Sequence, residues 1–342
     1  MNPHTANDPN EIGPRLPRDF YDLLDAYVAG QHEAKKSIAT ALYNHLLRIG
    51  APKDIVISKS NILMLGPTGS GKTYLLQQLA RECAVPMYIA DATTLSERGY
   101  VGSDVESILT GLFLESKSNL SMTEKGIVYL DEIDKLAGIK GDKDVSGFGV
   151  QRGLLKLMEG TKVMVSVDFS RESRKVEIDT SNILFVFGGA FNNLEESKIK
   201  EASNTSIGFL SQEKTNDCDV NKLRQSISTK DIVDYGFMPE FMGRCPVTII
   251  LDDLTDEDLK SILMTKKNCL WDQYKQLFQL DGLDLTFEDG AITAVIDHCK
   301  SKKIGARGLK TAMELVLKTA MFERVQEYCT ITEKFARGKL DV

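Results

Sequence analysis

Residues 62–82 read ILMLGPTGSGKTYLLQQLARE, and this stretch gives the strongest indication of the fold. The apolar residues Ile62–Leu65 predict a buried strand, the run Gly66–Thr73 predicts a loop, and Tyr74–Glu82 has the apolar spacing of a helix. The glycines of such a loop let successive backbone N–H groups point into one concavity, and the helix adds its positive dipole end. A strand, loop and helix in this order form a phosphate-binding P-loop, so the sequence predicts a nucleotide-binding α/β protein.

The P-loop gives a role to each of its residues. Lys72 is predicted to reach the β- and γ-phosphates, and Thr73 is predicted to bind Mg²⁺. A plain glycine-rich turn is the alternative, and the flanking strand and helix disfavour it. The residues predicted to bind the nucleotide in this loop are Pro67, Thr68, Gly69, Ser70, Gly71, Lys72 and Thr73.

Four further apolar runs, each bounded by polar or glycine residues, predict strands of the same sheet. They are short, apolar on both faces and separated by helical stretches, which is typical of a parallel sheet covered on both sides. With Ile62–Leu65 they predict a five-stranded parallel sheet, the further strands being Met87–Ala90, Ile127–Leu130, Ile183–Phe187 and Val247–Leu251.

Two adjacent carboxylates follow the strand Ile127–Leu130. Asp131 suits Mg²⁺, largely through water, and Glu132 suits the orientation of an attacking water. A pair of acidic residues at a strand end is often only a solvated strand end. Together with the P-loop upstream, the pair favours hydrolysis of a nucleoside triphosphate.

The remaining patterns predict how the chain is divided. Residues 1–18 are polar and hold four of the nine prolines, which predicts a flexible tail. Residues 19–250 are predicted to form the large α/β domain and residues 251–342 a smaller, mainly helical one.

Local patterns within these domains predict individual elements. Ser103 and Glu106 predict a capping box, and alternating valines predict a hairpin around residues 163–178. Thr255 and Asp258 predict the cap of a helix running from Leu259 to Trp271.

Composition excludes several classes of protein. The net charge of −7 disfavours a protein that binds phosphate backbones, so a nucleic-acid partner is not expected. No apolar stretch approaches the ~20 residues of a membrane span, and no signal peptide is apparent, so we expect no membrane partner and a cytoplasmic location. The six cysteines contain no C-x-x-C pair and the four histidines are dispersed, which predicts reduced thiols and no metal cluster.

Two arginines are candidates to act on the γ-phosphate. Arg244 follows the run Pro239–Gly243, and Arg307 lies in the sequence Gly-Ala-Arg-Gly. A guanidinium near the transferred group accelerates phosphoryl transfer strongly. By residue chemistry alone, each of the two is more often a surface arginine.

The ordered set of motifs resembles the ClpX-type protein unfoldases of the AAA+ ATPases over roughly residues 20–340. The motifs that carry the resemblance, besides the P-loop and the Asp131–Glu132 strand, are VAGQ (28–31), ADATTL (90–95), GYVG (99–102), DVSG (144–147), FGGAF (187–191), IGF (207–209), PEF with Arg244 (239–244) and GARG (305–308).

The resemblance implies a homo-hexameric ring with ATP and Mg²⁺ at the subunit interfaces. Val28, Gly30 and Gln31 would lie against the adenine, Arg244 would act as an arginine finger in the neighbour's site, and Arg307 would sense nucleotide. Tyr100 and Val101 would grip unfolded or tagged protein substrates in the axial pore. Ile207, Gly208 and Phe209 would dock on a ClpP-type peptidase, although a loop folded back on its own domain is the alternative.

Three departures from the family pattern accompany the resemblance. No cysteine precedes Cys83, so the family's N-terminal zinc-binding domain is not expected. The basic loop for substrate tags is replaced by Arg171–Val176, which has no histidine, and the segment Lys135–Asp144 predicts a reduced second pore loop.

HslU shares the Gly-Tyr-Val-Gly loop but carries a long inserted domain that this chain lacks. The alternatives left open are an AAA+ motor acting on nucleic acid and a remodelling chaperone that works without a peptidase, whereas the intact Lys72, Glu132 and Arg244 argue against a non-catalytic scaffold.

Overall fold

The computed structural model describes residues 16–52, 54–96, 103–138, 145–167, 175–194, 196–198, 217–302, 304–323 and 328–340. Its strands are β1 (Ile62–Leu65), β2 (Met87–Asp91), β3 (Leu95–Ser96), β4 (Ser103–Asp104), β5 (Ile127–Asp131), β6 (Lys162–Ser166), β7 (Lys175–Asp179), β8 (Leu184–Gly189), β9 (Val247–Ile250), β10 (Asp284–Phe287) and β11 (Tyr328–Ile331). Its helices are α1 (Pro17–Tyr27), α2 (His32–Gly50), α3 (Lys72–Glu82), α4 (Ser107–Glu115), α5 (Leu120–Thr123), α6 (Val145–Glu159), α7 (Asp217–Gln225), α8 (Thr229–Tyr235), α9 (Pro239–Gly243), α10 (Asp256–Met264), α11 (Leu270–Leu280), α12 (Asp289–Ser301), α13 (Gly305–Glu323) and α14 (Glu333–Leu340).

The central sheet contains the five predicted strands. They lie in the order β2-β5-β8-β1-β9, and every neighbouring pair is parallel. Strand β1 is therefore flanked on both sides, with Leu65 level with Gly189 of β8 and Ile250 of β9. The predicted α/β class with a five-stranded parallel sheet is confirmed, and the P-loop follows an inner strand, between β8 and the edge strand β9.

Alternate residues of each strand enter two different cores, because successive side chains point to opposite faces of a sheet. One face packs against α4, α6 and the β6–β7 hairpin, through residues such as Leu63, Leu65, Val128, Leu130, Phe185 and Phe187. The other face packs against α1, α2 and α3, through residues such as Ile62, Met64, Ile127, Leu184, Val186 and Ile249. Helices on both faces explain why these strands are apolar throughout.

The hairpin prediction is confirmed, since β6 and β7 pair in antiparallel fashion with Val163 opposite Ile178 and Val165 opposite Val176. The capping box predicted from Ser103 and Glu106 is wrong. Ser103 pairs with Leu95 in a two-residue parallel bridge, and α4 begins only at Ser107. Pairing with the nearby segment Leu95–Ser96 has overridden the helix-capping signal at Ser103.

The C-terminal part of the chain forms a small, mainly helical domain with its own core. Helices α10 to α14 and the parallel pair β10–β11 surround apolar residues that include Leu263, Phe278, Val295 and Val316. The cap predicted at Thr255 is present, with Thr255 Oγ1 accepting from Asp258 N at 3.1 Å. The predicted single helix to Trp271 is instead two helices, because α10 ends at Met264 and α11 begins at Leu270.

At the other end of the chain, α1 begins at Pro17, inside the stretch predicted as a flexible tail. Among the described residues, no helix has the length and apolar character needed to cross a bilayer.

Candidate nucleotide site

The P-loop is shaped by glycines with positive φ angles. Gly66, Gly69 and Gly71 have φ values of 153°, 86° and 98°, which other residues rarely adopt. Gly66 also has no room for a side chain, since a Cβ there would lie 2.8 Å from Leu251 Cβ. Helix α3 begins directly after Gly71, so its unpaired N–H groups open toward the loop. This concave arrangement of backbone donors fits a phosphate group.

Lys72 lies at the base of the loop and is largely buried. Its Nζ donates to the carbonyl oxygens of Gly66, at 2.6 Å, and Pro67, at 3.0 Å. The loop thus holds the ammonium group beside the N-terminus of α3, and both carry positive charge. A nucleotide phosphate bound here would be stabilised by the charge of Lys72 and by the dipole of α3.

Asp131, at the end of β5, joins three neighbouring groups. Its Oδ2 accepts from Thr73 Oγ1 at 3.1 Å, and its Oδ1 accepts from Tyr129 OH at 3.2 Å and from the Glu132 N–H at 3.0 Å. Burial, followed by the nearby Asp131 charge, raises the pKa of Tyr129 far above its usual value, so the phenol remains a donor. The hydroxyl of Thr73 and the carboxylate of Asp131 are hard oxygen ligands of the kind that Mg²⁺ prefers.

Glu132 has a backbone conformation that is unusual for its residue type. Its φ of 56° lies in the left-handed region, a strain of roughly 1–3 kcal/mol for a residue other than glycine. The side chain is exposed and lines the same cavity as Lys72 and Thr73. The turn out of β5 therefore presents this carboxylate to the cavity, where a general base or water-orienting group would act.

A third carboxylate, Asp134, lies close to this pair and was not identified from the sequence. It is buried, lines the cavity and accepts from the Ala190 N–H at 3.2 Å through Oδ1. Asp134 thereby links the turn after β5 to the turn after β8. The only sequence signal for this contact was the pair Gly188–Gly189 at the end of a predicted strand, since glycines in a strand often mark a close approach of other atoms.

The cavity itself has a volume of about 630 Å³ and lies between the large and the small domains. This volume is within the range of ~300–1,000 Å³ that is typical of small-molecule sites. From the large domain, the cavity is lined by the P-loop, by the carboxylates described above and by Tyr27–Ala29. From the small domain, it is lined by Leu254, Ile262, Lys266, Lys267, Asn268, Cys269, Leu270, Gln273, Ala306, Arg307 and Lys310.

Contacts across the cavity attach the small domain to the end of α1. Lys266 Nζ donates to the Asp25 carbonyl at 2.6 Å, and Lys267 N donates to the Ala26 carbonyl at 2.9 Å. The ammonium of Lys267 also lies 4.9 Å from the centre of the Tyr27 ring, a cation–π contact. Nothing in the sequence patterns pointed to these lysines.

Gln31 also joins the two domains, by a different route. Its side chain donates to the Asp252 carbonyl at 2.8 Å and accepts from the Asp252 N–H at 3.0 Å. Gly30, beside it, has a φ of 57° and lies so close to Asp258 that a Cβ would be 2.6 Å from Oδ1. In the described structure these two residues serve the junction between the domains, and neither is among the residues that line the cavity.

The structure therefore brings most of the predicted site residues together. The predicted residues that line the cavity are Val28, Thr68, Gly69, Ser70, Gly71, Lys72, Thr73, Asp131, Glu132 and Arg307. Of the described residues, Gly30, Gln31, Pro67 and Arg244 do not line it. Tyr100, Val101, Ile207, Gly208 and Phe209 lie outside the described residues, as do residues 139–144 and 168–174 of the two altered loops.

Arg244 lies at the opposite edge of the sheet from the P-loop. Asn61, just before β1, donates to the Arg244 carbonyl at 2.9 Å, whereas the P-loop follows the other end of β1. At ~3.3 Å per residue, the four residues of β1 separate the two by about 13 Å. The Arg244 guanidinium pairs with Glu159 at 2.8 Å. Within one chain, Arg244 is thus directed away from the cavity that contains Lys72.

Comparison with known proteins identifies relatives along nearly the whole chain. Residues 57–248 match the model of the AAA domain (Cdc48 subfamily), and residues 254–328 match the C-terminal, D2-small domain of ClpB protein. The chain is 43% identical over 318 residues to the ATP-dependent Clp protease ATP-binding subunit ClpX of Treponema denticola, covering 90% of this chain and 77% of the relative. It is also 43% identical to the ClpX of Bacteroides thetaiotaomicron, covering 95% and 82% of the two chains, and to that of Borrelia duttonii, covering 90% and 74%.

Proposed function

Because the chain belongs to the ClpX family of AAA+ ATPases, we propose that it forms a homo-hexameric ring that unfolds proteins with the energy of ATP. The ring would pass its substrates to a ClpP-type peptidase. The observation that carries the proposal is the placement of cationic groups: Lys72 and Arg307 line one cavity, whereas Arg244 lies at the opposite edge of the sheet. Such a subunit needs a neighbour to complete its site, which supports a ring.

Each residue of the cavity has a role in ATP hydrolysis under this proposal. Lys72 and the P-loop amides bind the β- and γ-phosphates, and Glu132 orients the attacking water. Thr73 and Asp131 would hold Mg²⁺, largely through water, and the ion when bound neutralises charge on the phosphates. Tyr129 keeps the Asp131 carboxylate oriented through its hydrogen bond. Arg307, from the small domain, contacts the phosphates and links their presence to the position of that domain.

Exposed apolar residues support association between subunits. Ile55, Val56 and Ile57 are 52%, 94% and 49% exposed on the large domain, and Phe322 is 88% exposed on the small domain. Ile55–Ile57 are consecutive in the sequence, and an exposed apolar patch on a protein surface commonly marks an interface. We also propose the division into a large domain, 19–250, and a small domain, 251–342, which the separate core of α10–α14 supports.

The handling of substrates rests on the family relationship. The relatives are named as subunits of a Clp protease, which supports a peptidase partner for this chain. Tyr100 and Val101 would grip the polypeptide in the pore, and Ile207–Phe209 would dock on the peptidase. Six docking loops on one ring would bind multivalently, so weak single contacts would add up to a tight complex. We place this activity in the cytoplasm on the same grounds.

The proposal is tested by measuring ATPase activity, unfolding and degradation with a ClpP-type peptidase. Unfolded protein is expected to stimulate the ATPase, whereas DNA is not. Deleting Ile207–Phe209 should abolish degradation and leave ATPase and unfolding intact, and deleting Glu213–Thr215 in the same polar stretch is the matched control. An ATPase that is stimulated by DNA and not by unfolded protein would indicate a nucleic-acid motor. If the unaltered protein unfolds substrates but does not activate the peptidase, it would be a remodelling chaperone.

A further inference from the structure

The ion pair between Arg244 and Glu159 is formed within one chain, at the edge of the sheet remote from its own cavity. Arg244 Nη2 donates to Glu159 Oε1 at 2.8 Å, and the two side chains are 54% and 49% exposed. The partners are 85 residues apart in sequence. Exposed pairs of this kind contribute little to folding stability, so the pair calls for a different explanation.

Glu159 is presented by a rigid part of the structure. It is the last residue of α6 and is followed by Gly160, whose φ of 91° turns the chain toward Thr161. The hydroxyl of Thr180, which is fully buried, donates to the Leu157 carbonyl at 2.9 Å and accepts from the Thr161 N–H at 2.9 Å. The backbone on both sides of Glu159 is therefore attached to the short helical turn before β8.

Arg244 is held just as firmly through its backbone. Asn61, which is 1% exposed, donates to the Arg244 carbonyl at 2.9 Å and accepts from the Phe185 N–H at 3.4 Å. The Arg244 N–H in turn donates to the Phe241 carbonyl at 3.1 Å. Two fixed backbone positions thus bring one exposed carboxylate to one exposed guanidinium.

We infer that Glu159 is a positioning residue that orders the Arg244 side chain for action on the ATP of the neighbouring subunit. This inference rests on the proposed ring. A free arginine side chain samples many rotamers and loses that freedom when it docks on a phosphate, whereas a chain already ordered loses less. One hydrogen bond to Glu159 uses one of the five guanidinium N–H groups, so the same group still has donors for a phosphate.

The same ion pair could instead sequester Arg244, and removal of Glu159 would then change the ATPase rate in the opposite direction. If the carboxylate held Arg244 away from the neighbouring site or repelled its phosphates, removing Glu159 would raise the ATPase rate. If Glu159 orders the finger, its removal lowers the rate, and the lowering depends on Arg244. The direction of the change therefore separates ordering from sequestration.

The test compares Glu159→Ala, Glu159→Gln and the control Glu177→Ala, whose residue forms another exposed ion pair, with Lys162. Glu159→Ala should lower kcat about 2- to 10-fold, the factor expected when one rotamer-rich side chain is no longer ordered. Glu159→Gln keeps an acceptor oxygen and should retain most of the rate. Binding of fluorescent ADP, which lacks the γ-phosphate, and ring assembly by sedimentation should be unchanged in all three.

The Arg244→Ala background separates this inference from the proposed ring. There, Glu159→Ala should cause no further loss, because the group that it orders is gone. Mixing Arg244→Ala chains with Lys72→Ala chains should partly restore ATPase activity. If mixing restores activity but Glu159→Ala leaves kcat unchanged, raises it, or lowers it equally without Arg244, the role of Glu159 is refuted and the ring stands. If mixing restores nothing, the trans-acting finger and the role of Glu159 both fail.

Discussion

Replacement of Gly188 by alanine should disturb the nucleotide site through a tyrosine that no motif marks. Gly188 lies on β8, beside the buried ring of Tyr129 on β5. A Cβ built on Gly188 would lie 2.0 Å from the Tyr129 hydroxyl and 2.7 Å from its Cζ, both below any real contact distance. That hydroxyl donates to Asp131 at 3.2 Å. Either the ring stays and the site is overpacked, or the ring moves and Asp131 loses a donor.

Both outcomes lead to a similar cost in stability. Overpacking of a core by one methyl group costs about 1–3 kcal/mol. A lost hydrogen bond to a charged group costs about 1.5–3 kcal/mol. We therefore expect Gly188→Ala to lower the free energy of unfolding by about 2 kcal/mol, and Tm by roughly 4–8 °C at ~2–4 °C per kcal/mol for a domain of this size.

Thermal unfolding followed by circular dichroism measures this effect, with Gly338→Ala as the matched control. Gly338 lies in α14 with nothing within 4 Å of a Cβ, so alanine there should be neutral or stabilising by up to ~1 kcal/mol. In a Tyr129→Phe background the nearest clashing atom is gone, and Gly188→Ala should cost less. A Tm equal to that of the parent, or an equal loss in both backgrounds, would refute the reasoning.

Three further predictions concern catalysis, substrate grip and pH. Lys72→Ala should abolish ATP binding, whereas Glu132→Gln should bind ATP and fail to hydrolyse it, as measured by fluorescent-nucleotide binding and phosphate release; near-parental hydrolysis by Glu132→Gln would contradict its role. Tyr100→Ala should leave ATP hydrolysis largely intact and abolish unfolding of folded substrates, and equal losses of both would point to a packing role. Burial lowers the pKa of His45 to about 3, so below the ordinary value near 6.5 the unfolded state gains a proton that the folded state does not. Stability should fall by about 2 kcal/mol from pH 7 to pH 5, and His45→Leu should remove that slope in urea unfolding, whereas an unchanged slope would mean that other groups cause it.

The sequence alone determined the sheet and the phosphate end of the site. The P-loop, the five apolar strands and the Asp131–Glu132 pair are local patterns, in which neighbouring residues decide both the conformation and the chemistry. Their positions could be predicted because a buried parallel strand is apolar on both faces wherever it lies in the sheet. The prediction at Ser103 failed where a local helix signal competed with pairing to another segment.

The contacts between residues that are far apart in the sequence depend on the tertiary structure. Gln31 meets Asp252 across 221 residues of sequence, Lys266 meets Asp25 across 241, and Arg244 meets Glu159 across 85. None of these contacts leaves a periodic trace, because each depends on where two folded elements end in space. For the same reason, the cavity between the domains results from the packing of the helical domain against the sheet. The distance of Arg244 from that cavity likewise depends on the packed structure.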